Sequence, residues 1–269
     1  MNELFQKKVQ ILHHIKVGSG YFRIGLAFPE LARIARPGQF VMVRLPERRI
    51  PLLRRPFSVH NRLVEGEEVY GFELLYKVVG KGTQALSGLK AGDLLDVLGP
   101  LGNGFSCPEG IRDVLLVAGG IGVASLYYLA LFLAEHRAVR STVFLGGRTA
   151  ADILCQRAFE SMGTKVCITT EDGTLGEKGL ITSMVQEALK VDGNPDMIYA
   201  CGPNPMLKAV GDIAATYDVR CQISLETAMV CGFGACLGCA VEKADSRGAY
   251  FHACTDGPVF DSRAIVIQT

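Results

Sequence analysis

Residues 113–135 read DVLLVAGGIGVASLYYLALFLAE, and the reading of this stretch decides the architecture. Val114 to Ala134 is 21 residues without a charge, long enough to cross a bilayer. Its middle, however, is Gly119-Gly120-Ile121-Gly122, which would break a spanning helix. Arg112, Asp113 and Glu135 flank it as surface residues do. The stretch therefore predicts a buried strand (Val114–Ala118), a glycine turn and a buried helix (Val123–Ala134), and no membrane span.

Downstream the same rhythm repeats. Strands are expected at Thr142–Leu145, Lys165–Thr169, Met197–Cys201 and Val219–Ser224, and helices at Asp152–Met162, Ile181–Leu189 and Pro205–Tyr217. Alternation of this kind makes parallel βαβ units and a doubly wound sheet. Upstream the pattern is different. Lys8–Ile15, Tyr21–Leu26, Gln39–Leu45, Phe57–Leu63, Val69–Val79 and Leu94–Leu98 are short apolar runs punctuated by Gly18-Ser19-Gly20, Pro37-Gly38, Glu65-Gly66 and Ala91-Gly92-Asp93. Short strands at this spacing predict a small antiparallel barrel. The expected class is thus an α+β multidomain chain. Residues 1–106 form an antiparallel β-barrel, 107–224 a doubly wound parallel α/β domain, and 225–269 a small Cys- and Gly-rich appendage.

Composition narrows the function classes. Lys plus Arg number 28 and Asp plus Glu 27, a net charge of +1, so no basic field draws nucleic acid. Nine cysteines is an odd number, and Met1–Gln10 has no apolar signal core. A secreted disulfide framework is not expected, and the reading is a reducing cytoplasm.

Four of those cysteines crowd the tail: Cys231, Cys236, Cys239 and then Cys254. The C-x4-C-x2-C spacing with a fourth Cys is that of plant-type [2Fe-2S] sites. Gly232, Gly234 and Gly238 let the loop turn tightly and aim N–H groups at the sulfurs. A zinc knuckle also uses four thiolates, but usually as two close pairs. The gap to Cys254 is 14 residues, shorter than in plant-type ferredoxins. Within the barrel half, Arg54-Arg55-Pro56-Phe57-Ser58 places a guanidinium near a phosphate and a hydroxyl near a ring. Gly80-Lys81-Gly82-Thr83 opens a helix with N–H groups available to a pyrophosphate. The plainer readings are a surface ion pair for Arg55 and a helix cap for Gly82. Gly119 to Gly122 is a partial dinucleotide fingerprint. Glu171-Asp172-Gly173 and Cys201-Gly202-Pro203-Asn204-Pro205-Met206 follow expected strands, at the sheet edge where such folds bind ligands.

Taken together, R-P-x-S, G-x-G-T, G-G-I-G, C-G-P-x-P-M and the cysteine tail resemble the ferredoxin-NADP reductase superfamily. Ser224-Leu225-Glu226, the C-G-x-G-A-C-x-x-C run and Cys254-Thr255-Asp256-Gly257-Pro258-Val259-Phe260 resemble one branch of it. That branch is the electron-transfer subunits of NAD-dependent, type B dihydroorotate dehydrogenases, and the likeness covers essentially the whole chain. It implies FAD at Arg55, Pro56, Phe57, Ser58, Leu75, Tyr76, Lys77, Gly82 and Thr83. It implies a [2Fe-2S] cluster on Cys231, Cys236, Cys239 and Cys254. NAD is implied at Gly119, Gly120, Gly122, Gly202 and Pro203. Phe57 stands where other members often carry an aliphatic residue. Arg148 is the one cation placed for a 2′-phosphate, so NAD is favoured over NADP. Ser58 is assigned a hydrogen bond near flavin N5, and Glu226 a place at the flavin–nicotinamide site. No side chain here need serve as acid or base toward dihydroorotate. The implied partner is an FMN-containing catalytic subunit in a heterotetramer with two copies of each chain. The implied role is electron transfer from that FMN through the cluster and FAD to NAD+, in pyrimidine biosynthesis. Two rivals remain: the small flavin subunit of a bifurcating NAD(P)H–ferredoxin or sulfide oxidoreductase, and a zinc-stabilised binding module without enzymatic activity.

Overall fold

The computed structural model describes residues 3–45, 52–137 and 139–269. The first part is a seven-stranded antiparallel sheet. Its strands are β1 (Phe5–Gly18), β2 (Tyr21–Leu26), β3 (Phe40–Arg44), β4 (Arg55–Ser58), β5 (Asn61–Glu65), β6 (Glu68–Lys77) and β7 (Leu94–Leu101), in spatial order β4-β3-β7-β1-β2-β6-β5. Helices α1 (Pro29–Ile34) and α2 (Lys81–Leu86) accompany it. The sheet curls around a core that includes Ile24, Phe28, Leu31, Val41, Phe72 and Leu95. The expected single run Phe57–Leu63 is two strands, β4 and β5, at opposite edges of the sheet. Val59 and His60 carry the chain across the seam, with the Val59 N–H on Gln39 O at 3.0 Å and the His60 N–H on Glu73 O at 2.9 Å. Helix α1 was not anticipated, because six residues opened by Pro29 give too little periodicity to read.

The second sheet is mixed, in order β11-β10-β9-β8-β12-β13-β16. Its strands are β8 (Asp113–Gly119), β9 (Arg140–Gly147), β10 (Lys165–Thr170), β11 (Glu177–Lys178), β12 (Met197–Cys201) and β13 (Cys221–Ser224), all parallel, with β16 (Val259–Asp261) antiparallel at the edge. Helices α3 (Val123–Arg137) and α4 (Gln156–Ser161) pack with one apolar cluster of the sheet. Helices α5 (Ile181–Asp192) and α6 (Asn204–Thr216) pack with another, which makes the sheet doubly wound. The expected helix Asp152–Met162 is a 3-10 turn at Ala150–Asp152 followed by α4, because Cys155 adopts φ 60° and interrupts it. The opening stretch of sequence is the buried strand–turn–helix it predicts, with both faces of β8 covered. No helix among the described residues is long and apolar enough to cross a membrane.

The tail is not a detached appendage. The hairpin β14 (Ala240–Glu242) and β15 (Tyr250–His252) stands alone, but β16 is laid against β13, with Ile223 opposite Phe260. One apolar cluster joins Phe40, Met42, Leu98 and Leu101 of the barrel to Cys239, Val241 and Phe260 of the tail.

Candidate functional site

The barrel half presents an open groove lined by Val43, Arg44, Leu45, Leu53, Arg55, Phe57, Gly82 and Leu86. It brings Phe57 of β4 and Gly82 of α2, 25 positions apart, to one place. The two neighbouring arginines divide their work. Arg54 Nη2 lies 2.7 Å from the buried Asp96 carboxylate, which Arg44 also holds at 2.8 Å. Arg55 donates only to the carbonyls of Leu53 and Arg54, at 2.9 and 3.1 Å, and has no carboxylate partner among the described residues. Among the described residues Arg55 therefore makes no ion pair, and it lines the groove. Thr83 Oγ1 accepts from the N–H groups of Val79 and Gly80 at 2.9 and 3.1 Å, fixing the turn into α2.

Leu75, Tyr76 and Lys77 are not among the residues lining this groove. Leu75 packs in the core with Tyr21 and Phe105. Tyr76 is buried behind Phe57, edge-on at 5.6 Å, and its hydroxyl donates to His14 Nε2 at 2.9 Å. His14 Nδ1 in turn donates to Leu89 O at 2.7 Å. Burial raises the Tyr76 phenol further above its ordinary range. Lys77 turns toward the middle domain and pairs with Asp152. Ser58 is half-buried at the end of β4, opposite Phe40.

At the carboxyl edge of the second sheet, the Gly119–Gly122 turn and the Gly202-Pro203 turn interlock. A side chain at Gly119 would meet Met206 Sδ at 2.7 Å and Pro203 Cδ at 2.8 Å, and one at Gly122 would overlap the Cys201 carbonyl. These two glycines are required by loop-on-loop packing. Gly120 differs: φ is +52° and nothing lies within 4 Å of its Cβ position. Of the turn's glycines, only Gly120 therefore presents open space at the carboxyl edge of the sheet. Arg148 lies in the turn after β9, where its carbonyl accepts from the Asp172 N–H at 3.2 Å. Glu226 follows β13 at this same edge. Its surface is exposed, yet the protein crowding around it raises its carboxyl above the usual value. Cys201 beside it is buried, its thiol pushed up to about 12 by burial and then by the Glu226 charge.

The tail supplies the third set. The thiols fall into two pairs: Cys239 and Cys254 with sulfurs 3.3 Å apart, and Cys231 hydrogen-bonded to Cys236. Partial burial opposes ionisation of Cys231, but the N–H groups of Phe233, Cys236 and Ala235 point at its sulfur and lower it to about 6. Burial and the adjacent Cys239 push Cys254 up to about 12. Four thiols held in two close pairs would suit a binuclear iron–sulfur cluster, for which they would supply the thiolates. The loop bends left-handed at Gly232 (φ +85°), Gly234 (φ +86°) and Leu237 (φ 57°). Gly232 packs so tightly on Met42 that any side chain there would overlap it. Met42 is the ladder partner of Pro56 in β4. Asn103, after β7, donates to the carbonyls of Thr255 and Asp256 at 3.0 Å each and pins the Cys254 segment to the barrel.

Sequence reasoning missed Asp152, Met42, Asn103 and His60, which act across segments far apart in the chain and carry no local signal.

Comparison with known families matches residues 7–105 to the oxidoreductase FAD-binding domain, 116–212 to the oxidoreductase NAD-binding domain and 226–266 to the iron–sulfur cluster binding domain of dihydroorotate dehydrogenase B. Fold and site therefore define an oxidoreductase of the iron–sulfur flavoprotein class, built on the ferredoxin-NADP reductase plan. Two curated relatives carry the name dihydroorotate dehydrogenase B (NAD(+)), electron transfer subunit. The one from Caldanaerobacter subterraneus subsp. tengcongensis is 41% identical over 95% of this chain and 96% of its own. The one from Desulforamulus reducens is 40% identical over 99% of both. The chain belongs to this family of dihydroorotate dehydrogenase B electron transfer subunits. A solved structure of an NADH-dependent reduced ferredoxin-NADP oxidoreductase, described for flavin-based electron bifurcation, superposes with a TM-score of 0.84 at 34% identity, covering 97% of this chain and 90% of that one.

Proposed function

We propose that this chain accepts electrons from the FMN of a dihydroorotate dehydrogenase catalytic subunit and delivers them, through a [2Fe-2S] cluster and FAD, to NAD+ in pyrimidine biosynthesis. FAD supplies the junction chemistry, since it exchanges single electrons as well as hydride, whereas the cluster handles only electrons and NAD+ only hydride. The observation that carries the reading is the packing of the cysteine loop on Met42, the cross-strand neighbour of Pro56. The cysteine loop thus packs on β3, the immediate neighbour of the strand that carries the flavin motif.

This chain's residues bind and orient. Arg55, Phe57, Gly82 and Thr83 hold FAD in the barrel groove, with Arg55 on a phosphate and Ser58 toward the ring. Pro56 sets the strand and Tyr76 backs Phe57, while Leu75 in the core and Lys77 on Asp152 anchor β6 beside it. Cys231, Cys236, Cys239 and Cys254 ligate the cluster. Gly119, Gly120, Gly122, Gly202 and Pro203 shape the NAD site, with Glu226 on its wall. The domain limits follow as residues 1–106, 107–224 and 225–269. Two copies of each chain form the heterotetramer, and the free thiols suit a reducing cytoplasm.

A second reading, the small flavin subunit of a bifurcating oxidoreductase, is favoured by the 34% identical solved structure. The curated relatives at 40 and 41% identity and the matched cluster domain favour the first. Reconstitution separates them. With an FMN-bearing dihydroorotate dehydrogenase chain, dihydroorotate:NAD+ activity is expected. Activity only with a ferredoxin-coupled partner overturns the first reading.

A further inference from the structure

His60 is the residue at which the flavin strand meets the nucleotide helix. It lies two positions after Ser58 and is 1% exposed. Its backbone N–H is tied to Glu73 at 2.9 Å, so its place on the barrel seam is set by the sheet. Its Nδ1 lies 3.0 Å from the carbonyl of Ala124, in the first turn of α3 and two positions after Gly122. A carbonyl only accepts, so Nδ1 carries the hydrogen and the tautomer is decided. The ring also stacks on Tyr127 of α3, centroids 4.8 Å apart and planes 27° apart. Burial, opposed by the Ala124 carbonyl and Glu73, lowers the imidazole to about 4, so it is neutral at ordinary pH.

Two other polar contacts of α3 with the barrel lie farther along the helix. The Tyr128 hydroxyl donates to Ala35 O at 2.9 Å, and Arg62 approaches Glu135 at 4.0 Å. The His60 contact lies close to both motifs, with only Val59 separating it from Ser58 and only Val123 separating Ala124 from Gly122. Hydride transfer needs donor and acceptor carbons held in near contact, and a misplacement of about 1 Å costs about 100-fold.

We infer that His60 is a positioning residue, whose Nδ1–H to Ala124 hydrogen bond sets the spacing between the flavin strand and the glycine turn of the NAD site. It touches neither cofactor. The inference rests on the FAD and NAD reading above.

The test uses the full chain with its FAD. His60→Phe keeps a ring for Tyr127 but removes the donor, whereas Asn places an amide Nδ2 where Nδ1 stood. In His60→Phe, NADH turnover with a dye acceptor is expected to fall about 10- to 100-fold at saturating NADH. FAD per chain stays equal to wild type. The long-wavelength charge-transfer absorbance of reduced flavin with NAD+ weakens in the same variant. His60→Asn restores both. Equal losses in Phe and Asn, or wild-type absorbance and turnover in Phe, overturn the inference. If neither variant folds, nitrogen-15 histidine NMR of the wild-type chain decides. A neutral His60 ring protonated at Nδ1 supports the contact, and one protonated only at Nε2 overturns it. A wild-type chain that takes up no flavin at all fails the FAD reading instead, and is distinguished by its spectrum.

Discussion

Lys77 and Asp152 join the barrel to the middle domain. The Lys77 Nζ, at the end of β6, lies 3.1 Å from Asp152 Oδ1, in the 3-10 turn after β9. The same oxygen receives the Tyr21 hydroxyl at 2.6 Å, and the Lys77 ammonium lies 4.8 Å from the Tyr21 ring centroid. Three residues from three separate segments meet on one carboxylate oxygen, across the boundary between the flavin and nucleotide parts.

Replacing Asp152 with Ala is expected to destabilise the chain by about 1–3 kcal/mol, because it strands a hydroxyl and an ammonium. Burial disfavours the Asp152 charge, but the Tyr21 and Lys77 hydrogen bonds outweigh it and hold the carboxyl below its ordinary value. A depressed carboxylate stabilises the fold above its unfolded value, about pH 4, and that contribution fades as pH drops through the folded value. Denaturant titrations of wild type and Asp152→Ala at pH 7 and pH 3 check this. The gap between the two proteins should be wide at pH 7 and narrow at pH 3.

Arg54 and Arg55 are adjacent but should fail differently. Arg55→Ala is expected to weaken FAD binding by about 1.5–3 kcal/mol, roughly 10- to 150-fold, with little change in melting temperature of the apo-chain. Arg54→Ala leaves the buried Asp96 without its closest partner. It should cost stability, up to about 3–5 kcal/mol, before it touches FAD affinity. Flavin titration and thermal melts of both variants, run side by side, make the comparison. Equal flavin affinity in Arg55→Ala and wild type would exclude the phosphate role.

Gly122→Ala puts a methyl into the Cys201 carbonyl and must move one loop away from the other. Overpacking of this kind costs about 1–3 kcal/mol. The expected result is a raised KM for NADH with FAD content unchanged, measured by dye reduction. Gly120→Ala meets no neighbour but strains a φ of +52°, so its effect on apo-chain stability should be the smaller.

Cys236→Ser removes the exposed member of one thiol pair. The wild type is expected to contain about two iron and two sulfide per chain. In the variant that content should collapse while FAD is retained. NADH-to-dye turnover should largely survive, and dihydroorotate:NAD+ turnover in the reconstituted complex should be lost. Zinc in place of iron in the wild type refutes the cluster and favours the binding-module alternative.

Much of this was legible along the chain, because the signals are local. A strand, a glycine turn and a helix follow one another in residues 113–135, so period and turn chemistry alone predict the nucleotide half. The cysteine spacing is local too, since a cluster must be wrapped by a short loop. Local pattern misled where neighbours override it. Phe57–Leu63 reads as one strand, but the curled sheet has its two edges there, and the chain crosses the seam at Val59-His60. The sequence by itself determined which three kinds of site the chain carries, since each is announced by short local motifs. Only the tertiary structure decided how they are joined. Met42 under Gly232, Asp152 under Lys77 and Ala124 under His60 are contacts between residues 64 to 190 positions apart. Their geometry depends on how two sheets and a loop pack, and no spacing in a linear sequence encodes that.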